Sequence, residues 1–290
     1  HIMYVWLDAL NNYLTSTGFP DTESEIYKTY WPANLHMVGK DILRFHAVYW
    51  PAFLLASGLP APKRIFAHGW WTNEGQKISK SIGNVIDPFE LVERYGLDPV
   101  RYFLMREVPF GNDGDFSHQA MVMRLNSDLA NDLGNLCQRI LTMISKNCAG
   151  QVPTKDVFTS EDHALLEAAG GMLETTQRHL DRQSFHKALI DIWKLVGDAN
   201  RYVDMMAPWV LRKEDPDRMA TVLYVLAETI RRLGLIIQPF IPDAAASILD
   251  LLAVEKDKRS FAYFDEILES GVALPKPEPI FPRFVDEEIA

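Results

Sequence analysis

From about residue 118 to residue 252 the chain offers almost nothing but amphipathic helix, and that run restricts its fold more than any other feature. Apolar residues recur at helical spacing over roughly 118–146, 161–182, 185–206, 216–237 and 243–252, punctuated by Gly150, Pro208, Pro216, Pro239 and Pro242. Each helix has an apolar face to bury and no strand close by to bury it on. Helix must therefore pack on helix, and an antiparallel helical bundle is predicted for 118–274. The tail, 275–290, carries Pro275, Pro277, Pro279 and Pro282 and has no period, so it is expected to pack as an extended strap.

The first 72 residues have a different rhythm, with short apolar runs around one helix in the manner of a βαβ unit. Leu35–Val38 reads as a buried strand ending at Gly39-Lys40-Asp41, Ile42–Ser57 as the following helix stopped by Gly58, and Arg64–Gly69 as the next strand. Two strands and a crossover are only part of a sheet, and neither a GxGxxG run nor a Walker lysine precedes them. The remaining strands are expected outside this sequence. Between the α/β part and the bundle, residues 85–117 read as a small connecting module. Asp87-Pro88 with Glu90, and Asp98-Pro99, carry an Asp N-cap followed by Pro at the first helical position. Gly111–Asp115 then breaks the chain before Ser117, an N-cap for the long helix reaching about Lys146.

The net charge of −10 excludes nucleic-acid binding by general basicity, so any RNA contact must be made by a local patch. Cys137 and Cys148 have neither CxxC spacing nor neighbouring histidines, which implies no disulfide framework, no zinc or other metal site and a reducing compartment. No apolar run approaches a membrane span, and a soluble, cytoplasmic protein is expected. The chain opens straight into an apolar stretch, His1-Ile2-Met3-Tyr4-Val5-Trp6, which reads as an internal start.

Between Gly75 and Gly83 stands Lys77-Ile78-Ser79-Lys80-Ser81, two cationic heads and two small hydroxyl donors in a bendable loop, which is equipment for gripping phosphate. Most lysine-rich loops are solvated surface. This one, however, follows a strand of the α/β part, where such domains bind ligands.

Lys77–Ser81 resembles the KMSKS loop of class I aminoacyl-tRNA synthetases, with Ile78 where methionine is usual. The segments Tyr4-Val5-Trp6-Leu7-Asp8-Ala9-Leu10-Asn11-Asn12-Tyr13, Gly39-Lys40-Asp41-Ile42-Leu43-Arg44-Phe45-His46, Leu133-Gly134-Asn135-Leu136-Cys137-Gln138-Arg139 and Ala207-Pro208-Trp209 are similar to segments of the methionyl-tRNA synthetases, in the same order. The resemblance implies the second half of a Rossmann-type catalytic domain over 1–84, the connecting module, and an anticodon-binding bundle. It implies ATP, as its complex with Mg2+, L-methionine and tRNA(Met) as substrates. Lys80 would be the main pyrophosphate ligand and Lys77 its helper, with Ser79 and Ser81 completing the catalytic loop. Gly39, Asp41 and His68 would join Lys80 around ATP and the adenylate. Asp41 also fits the N-cap of the helix beginning at Ile42, and the two roles can coexist.

By the same resemblance Trp6, Ala9, Leu10, Tyr13 and His46 would line a methionine pocket, where aromatic walls suit a polarisable thioether. A Tyr13 hydroxyl or a His46 N–H would offer the sulfur a weak donor. The aromatics also fit a plain core beside a sheet. Asn131, Asn135 and Arg139 stand at i, i+4, i+8 on one helical stripe, which fits a solvated face equally well. The resemblance assigns Asn135, Arg139 and Trp209 to the anticodon CAU, with Trp209 as a stacking platform.

The chain departs from the family in having no H-x-G-H segment and no metal-spaced cysteines. It is therefore expected to be the C-terminal portion of the enzyme, inactive until another chain supplies the upstream half. No appended dimerisation domain is read, which implies a monomeric enzyme of bacterial or organellar type. Two rival readings are a sister class I synthetase for isoleucine, leucine, valine or cysteine, and a non-catalytic tRNA-binding protein. The aromatic pocket argues against the first and the intact loop against the second.

Overall fold

The computed structural model describes residues 4–79 and 81–285. The chain divides into two compact units, 1–72 with 110–115 and 73–109 with 116–290.

The first unit begins with two helices, α1 (Val5–Thr15) and α2 (Glu25–Tyr30). Strand β1 (His36–Gly39) follows, then a 3-10 turn (Lys40–Ile42), a π-helical stretch (Phe45–Tyr49), helix α3 (Trp50–Ala56) and strand β2 (Ile65–His68). As predicted, β1 and β2 are parallel, in a register that sets Gly39 opposite His68. The expected single helix 42–57 is instead a 3-10, π and α succession. Gly39, not Asp41, holds the N-cap position of the 3-10 turn, and no side-chain cap bond forms there. Leu10, Leu14, Tyr27, Trp31, Trp50 and Leu54 form the core of this unit. α1 was not anticipated: its N-cap is Tyr4, which makes no side-chain cap bond, so the sequence carries no start signal.

Strands β3 (Trp71–Asn73), β4 (Gln76–Lys77) and β5 (Gly114–Phe116) form a sheet in the order β4-β3-β5, and the chain passes from one unit to the other within β3 and β5. Glu74 (φ 50°) and Gly75 (φ 74°) make the two-residue turn between β3 and β4, both in the left-handed region that a tight hairpin requires.

The second unit is helical: α4 (Pro88–Tyr95), α5 (Leu97–Arg106), α6 (His118–Arg124), a π-helical stretch (Leu125–Gly134), α7 (Asn135–Asn147), α8 (Ser160–Gly170), α9 (Met172–Leu180), α10 (Phe185–Met206), α11 (Pro208–Glu214), α12 (Pro216–Ile237) and α13 (Pro242–Leu251). Helix α12 is its axis, buried along almost its whole length. Asp87 caps α4 as expected, accepting from Phe89 N at 2.8 Å. Asp98 does not cap its own helix. It is buried one residue inside α5 and accepts at 2.6 Å from the backbone N–H of Ala244, so it satisfies the start of α13 instead.

Two buried carboxylates of this unit are paired with arginines. Asp162 in α8 is fully buried, holds Arg218 of α12 at 2.5 and 2.7 Å, and accepts from the Tyr202 hydroxyl of α10 at 2.5 Å. Burial would raise its carboxyl, but the hydrogen bonds from Arg218 and Tyr202 outweigh that and bring it down to about 2. Glu228 is held by Arg231 and Arg232 and accepts from Leu268 N, which fastens the chain after α13 to the axis. No helix among the described residues is long and apolar enough to cross a membrane.

Candidate functional site

Positions 6, 9, 10 and 13 fall on one face of α1 because i, i+3, i+4 and i+7 share a helical face. Leu10 lies in the core at 1% exposure, Ala9 is exposed, and Trp6 and Tyr13 are half-buried against that core. Across from them the π-helical stretch presents Phe45 and His46. Trp6 and Phe45 stack with ring centres 4.0 Å apart and planes 7° from parallel, and the His46 ring stands edge-on to Trp6 at 6.1 Å.

His46 is buried and fully engaged. Its Nδ1 lies 3.0 Å from the carbonyl of Ile42, which can only accept, so Nδ1 carries the proton. In the neutral ring Nε2 is then an acceptor, and the Tyr13 hydroxyl 2.9 Å away donates to it. Neither proton is left over for a thioether. The expectation that Tyr13 or His46 would donate to sulfur therefore does not hold in this geometry, and what the pair offers a ligand is a fixed aromatic wall and the Tyr13 oxygen as acceptor. Behind Tyr13 sits His36, buried, its ring centre 4.3 Å from the tyrosine ring. Burial, and then the neighbouring His46, lower its basicity and favour the neutral form.

At the carboxyl ends of the two parallel strands the register brings Gly39, Asp41 and His68 together. A Cβ on Gly39 would stand 2.5 Å from Asp41 Oδ1 and 3.9 Å from His68 Cε1, so only glycine lets the carboxylate fold over the strand end. His68 Nδ1 donates to Gly69 O at 2.9 Å, leaving Nε2 as the acceptor of the neutral ring. Lys40, which the sequence reading passed over, lies over the Trp70 ring at 4.2 Å and meets both oxygens of Asp113 at 2.5 Å. Nothing local signals that contact, since the partners are 73 residues apart.

The Lys77–Ser81 loop is clipped by Asn84. Its Oδ1 accepts from Ser79 N at 2.8 Å, its Nδ2 donates to Lys77 O at 3.1 Å, and its own carbonyl accepts from Asn73 Nδ2 at 3.0 Å. The hydroxyls of Ser79 and Ser81 bond each other at 2.8 Å, so in this conformation they shape the turn. Lys77 is exposed, and Lys80 lies outside the described residues. The Gly83-Asn84 pair was a turn signal that could have pointed to the clip.

In the bundle the stripe of Asn131, Asn135 and Arg139 is broken, because Asn131 lies in the π-helical stretch and Asn135 opens α7. Asn131 and Asn135 are exposed and border one cleft, whereas Arg139 turns to Trp209, its guanidinium 5.8 Å from the ring, and pairs with Asp204 at 3.1 Å. Trp209 is 45% exposed. It is held outward by an abrupt turn in which Ala207 takes a left-handed conformation (φ 43°, ψ 59°) and Pro208 starts α11. An exposed indole backed by a guanidinium is a platform on which an unpaired base can stack.

Two family models match the chain: one described as "tRNA synthetases class I (M)" over residues 1–141, the other as "Anticodon binding domain of methionyl tRNA ligase" over 152–290. A methionine–tRNA ligase of Brucella suis is 59% identical over 289 residues, 99% of this chain and 56% of the relative; one of Mycobacterium bovis is 54% identical over 98% and 56%. A solved structure of Mycobacterium tuberculosis methionyl-tRNA synthetase in complex with methionyl-adenylate superposes with a TM-score of 0.94 at 55% identity, over 98% of this chain and 56% of that one. The chain thus spans about half the length of the relatives it matches. With both models in order along it and this likeness over nearly all its length, the chain belongs to the methionyl-tRNA synthetase family of class I.

Proposed function

We propose that the chain is the part of a methionine–tRNA ligase that carries the methionine pocket, the phosphate-gripping loop and the anticodon-binding bundle. The observation that carries this reading is the pocket wall: Trp6 stacked on Phe45, with His46 locked between Ile42 O and the Tyr13 hydroxyl. Such a wall selects a side chain by shape and polarisability. The bound methionine is placed by Trp6, Ala9, Tyr13 and His46, with Leu10 as the buried backing.

In the reaction a methionine carboxylate oxygen attacks the α-phosphorus of ATP and the bond to pyrophosphate breaks. A hydroxyl of the 3′ adenosine of tRNA(Met) then attacks the methionyl carbonyl and AMP leaves. The protein's work is positioning and stabilisation of charge. Lys80 and Lys77 hold the leaving pyrophosphate, Ser79 and Ser81 shape the turn that carries them, and Asp41, Gly39 and His68 hold the adenosine side. ATP enters as its Mg2+ complex. Asn135, Arg139 and Trp209 take the anticodon, which lets an acidic chain recognise RNA.

These 290 residues hold no H-x-G-H segment, so adenylate formation requires that segment from outside them. The test is methionine-dependent ATP–pyrophosphate exchange by this chain combined with the upstream half of a relative. Exchange that needs both polypeptides and methionine, and is lost in Lys80→Ala, is the expected result. Exchange driven equally by leucine, isoleucine or valine would overturn the methionine assignment.

A further inference from the structure

Lys40 stands between Gly39 and Asp41, two of the residues read as holding the adenosine side of ATP, yet its charge is matched within the protein. Its Nζ meets both carboxylate oxygens of Asp113 at 2.5 Å and lies 4.2 Å from the centre of the Trp70 ring. Asp113 Oδ1 also accepts the backbone N–H of Trp70 at 2.9 Å, and the Trp70 carbonyl accepts from Gly114 N at 2.8 Å. One carboxylate therefore ties the turn after β1 to the chain leaving β2. All of these residues belong to the first unit.

The anchor is itself fixed. Phe110 stacks on Phe66 of β2 with ring centres 5.2 Å apart and planes 4° from parallel, and lies 6.3 Å from the His68 ring. A Cβ on Gly69 would run into the Asn112 carbonyl, so the segment carrying Asp113 is seated against the end of β2 at backbone contact. The hydrogen bond from Lys40, then that from Trp70 N, holds the Asp113 carboxyl below its ordinary range, and it stays ionised. The side chains of Lys40 and Asp113 are 36% and 55% exposed, and ion pairs so exposed add little to stability. What two oxygens and an indole face do to one ammonium is remove its freedom to swing. The 3-10 turn Lys40–Ile42 opens without a side-chain cap bond, so the held lysine supplies a restraint that the turn lacks.

We infer that Lys40 is a positioning residue for ATP: Asp113 and Trp70 hold its ammonium, and the held side chain fixes the Gly39–Asp41 turn against His68. The strand register already sets Gly39 opposite His68, and Lys40 adds the tie beyond the strand end, where Asp41 stands. A lysine that gripped phosphate would need its charge free, whereas this one is neutralised by a carboxylate at contact distance. The inference rests on the reading of Gly39, Asp41 and His68 as the adenosine side.

The test is ATP–pyrophosphate exchange by this chain combined with the upstream half of a relative, with KM measured separately for ATP and for methionine. Lys40→Met is expected to raise the KM for ATP about tenfold, with the KM for methionine and the rate at saturating ATP within about twofold of native. Asp113→Asn keeps the bond from Trp70 N but loses the charge, and is expected to do the same. The double variant should be no worse than either single one, because the two residues act as a unit. Lys40→Arg, which can still pair with a carboxylate and stack on an indole, should stay within about threefold of native. Circular dichroism melting of each variant is expected to match the native chain, since both side chains are exposed. If Lys40→Met raises the KM for ATP and Asp113→Asn does not, the ammonium meets phosphate directly and the positioning role is wrong. Equal rises in both KM values would mean general damage to the unit, and no rise in either variant would mean that the tie has no part in ATP binding. Each of these results overturns the inference and leaves the ligase reading intact. If the native pair shows no methionine-dependent exchange, that reading falls and this one with it.

Discussion

Substituting Arg218 by methionine would expose how the bundle holds a buried carboxylate in place. Asp162 is fully buried, and its carboxylate depends on two guanidinium hydrogen bonds at 2.5 and 2.7 Å and the Tyr202 hydroxyl at 2.5 Å. Its fall from an ordinary 3.8 to about 2 corresponds to about 2.4 kcal/mol of stability, at about 1.36 kcal/mol for each tenfold change in proton affinity. A depressed carboxyl contributes that stability above its unfolded value, and the contribution is lost as the pH falls from about 4 towards 2. Without Arg218 the desolvation of Asp162 dominates and its carboxyl rises above the ordinary range. The folded variant then takes up a proton more readily than the unfolded one and gains stability as the pH falls below 7. Arg218→Met is therefore expected to lose about 3–5 kcal/mol at pH 7, the cost of stranding a buried charge, and visibly less at pH 4.5. Urea unfolding followed by helical circular dichroism at the two pH values measures both. A loss of the same size at pH 7 and pH 4.5 would refute the argument, because it would mean that Asp162 was not the group left unpaired.

Trp209→Ala should reduce anticodon stem–loop affinity tenfold or more, since stacking of a base on an aromatic ring contributes about 1–3 kcal/mol, and should leave thermal unfolding almost unchanged because the ring is 45% exposed. Asn84→Ala removes two hydrogen bonds from the Lys77–Ser81 loop, worth about 2 kcal/mol together, and is expected to speed amide exchange across 77–84 by about thirtyfold with α4 unaffected. Tyr13→Phe leaves His46 Nε2 without its donor; with the upstream half present, the methionine KM in the exchange assay should rise about fivefold while the KM for ATP stays the same.

Helices 185–206 and 216–237 were legible to the residue, because α10 and α12 are long, periodic and bounded by Ser184, Pro208 and the Asp215-Pro216 start. The parallel pair β1 and β2 was legible for the same kind of reason, two short apolar runs with a helical crossover. What escaped has more than one cause, and the first is a deciding partner that lies far along the chain. Asp98 looked like a local cap and instead serves a helix 146 residues away. α11, seven residues long, is too short for a periodic signal. The structure brings the aromatic residues Trp6, Tyr13 and His46 together, but the direction of the Tyr13–His46 hydrogen bond was not legible, since it is fixed by the Ile42 carbonyl.

The π-helical stretch Leu125–Gly134 sets the angular phase of everything that follows it. A π-turn closes over five residues where an α-turn closes over four, so the stretch works as a vernier in the helix. Because a π-turn takes up one residue more than an α-turn, removing one residue and letting α geometry run straight through would leave Asn135, Gln138 and Arg139 on nearly the same side of the helix. Removing a second residue would find nothing left to absorb it and would rotate them together by about 100° about the helix axis. The composition and hydropathy of the bundle would hardly change, but the apolar side would no longer be the one facing α12. Deleting two residues from this segment should therefore do far more damage than deleting one.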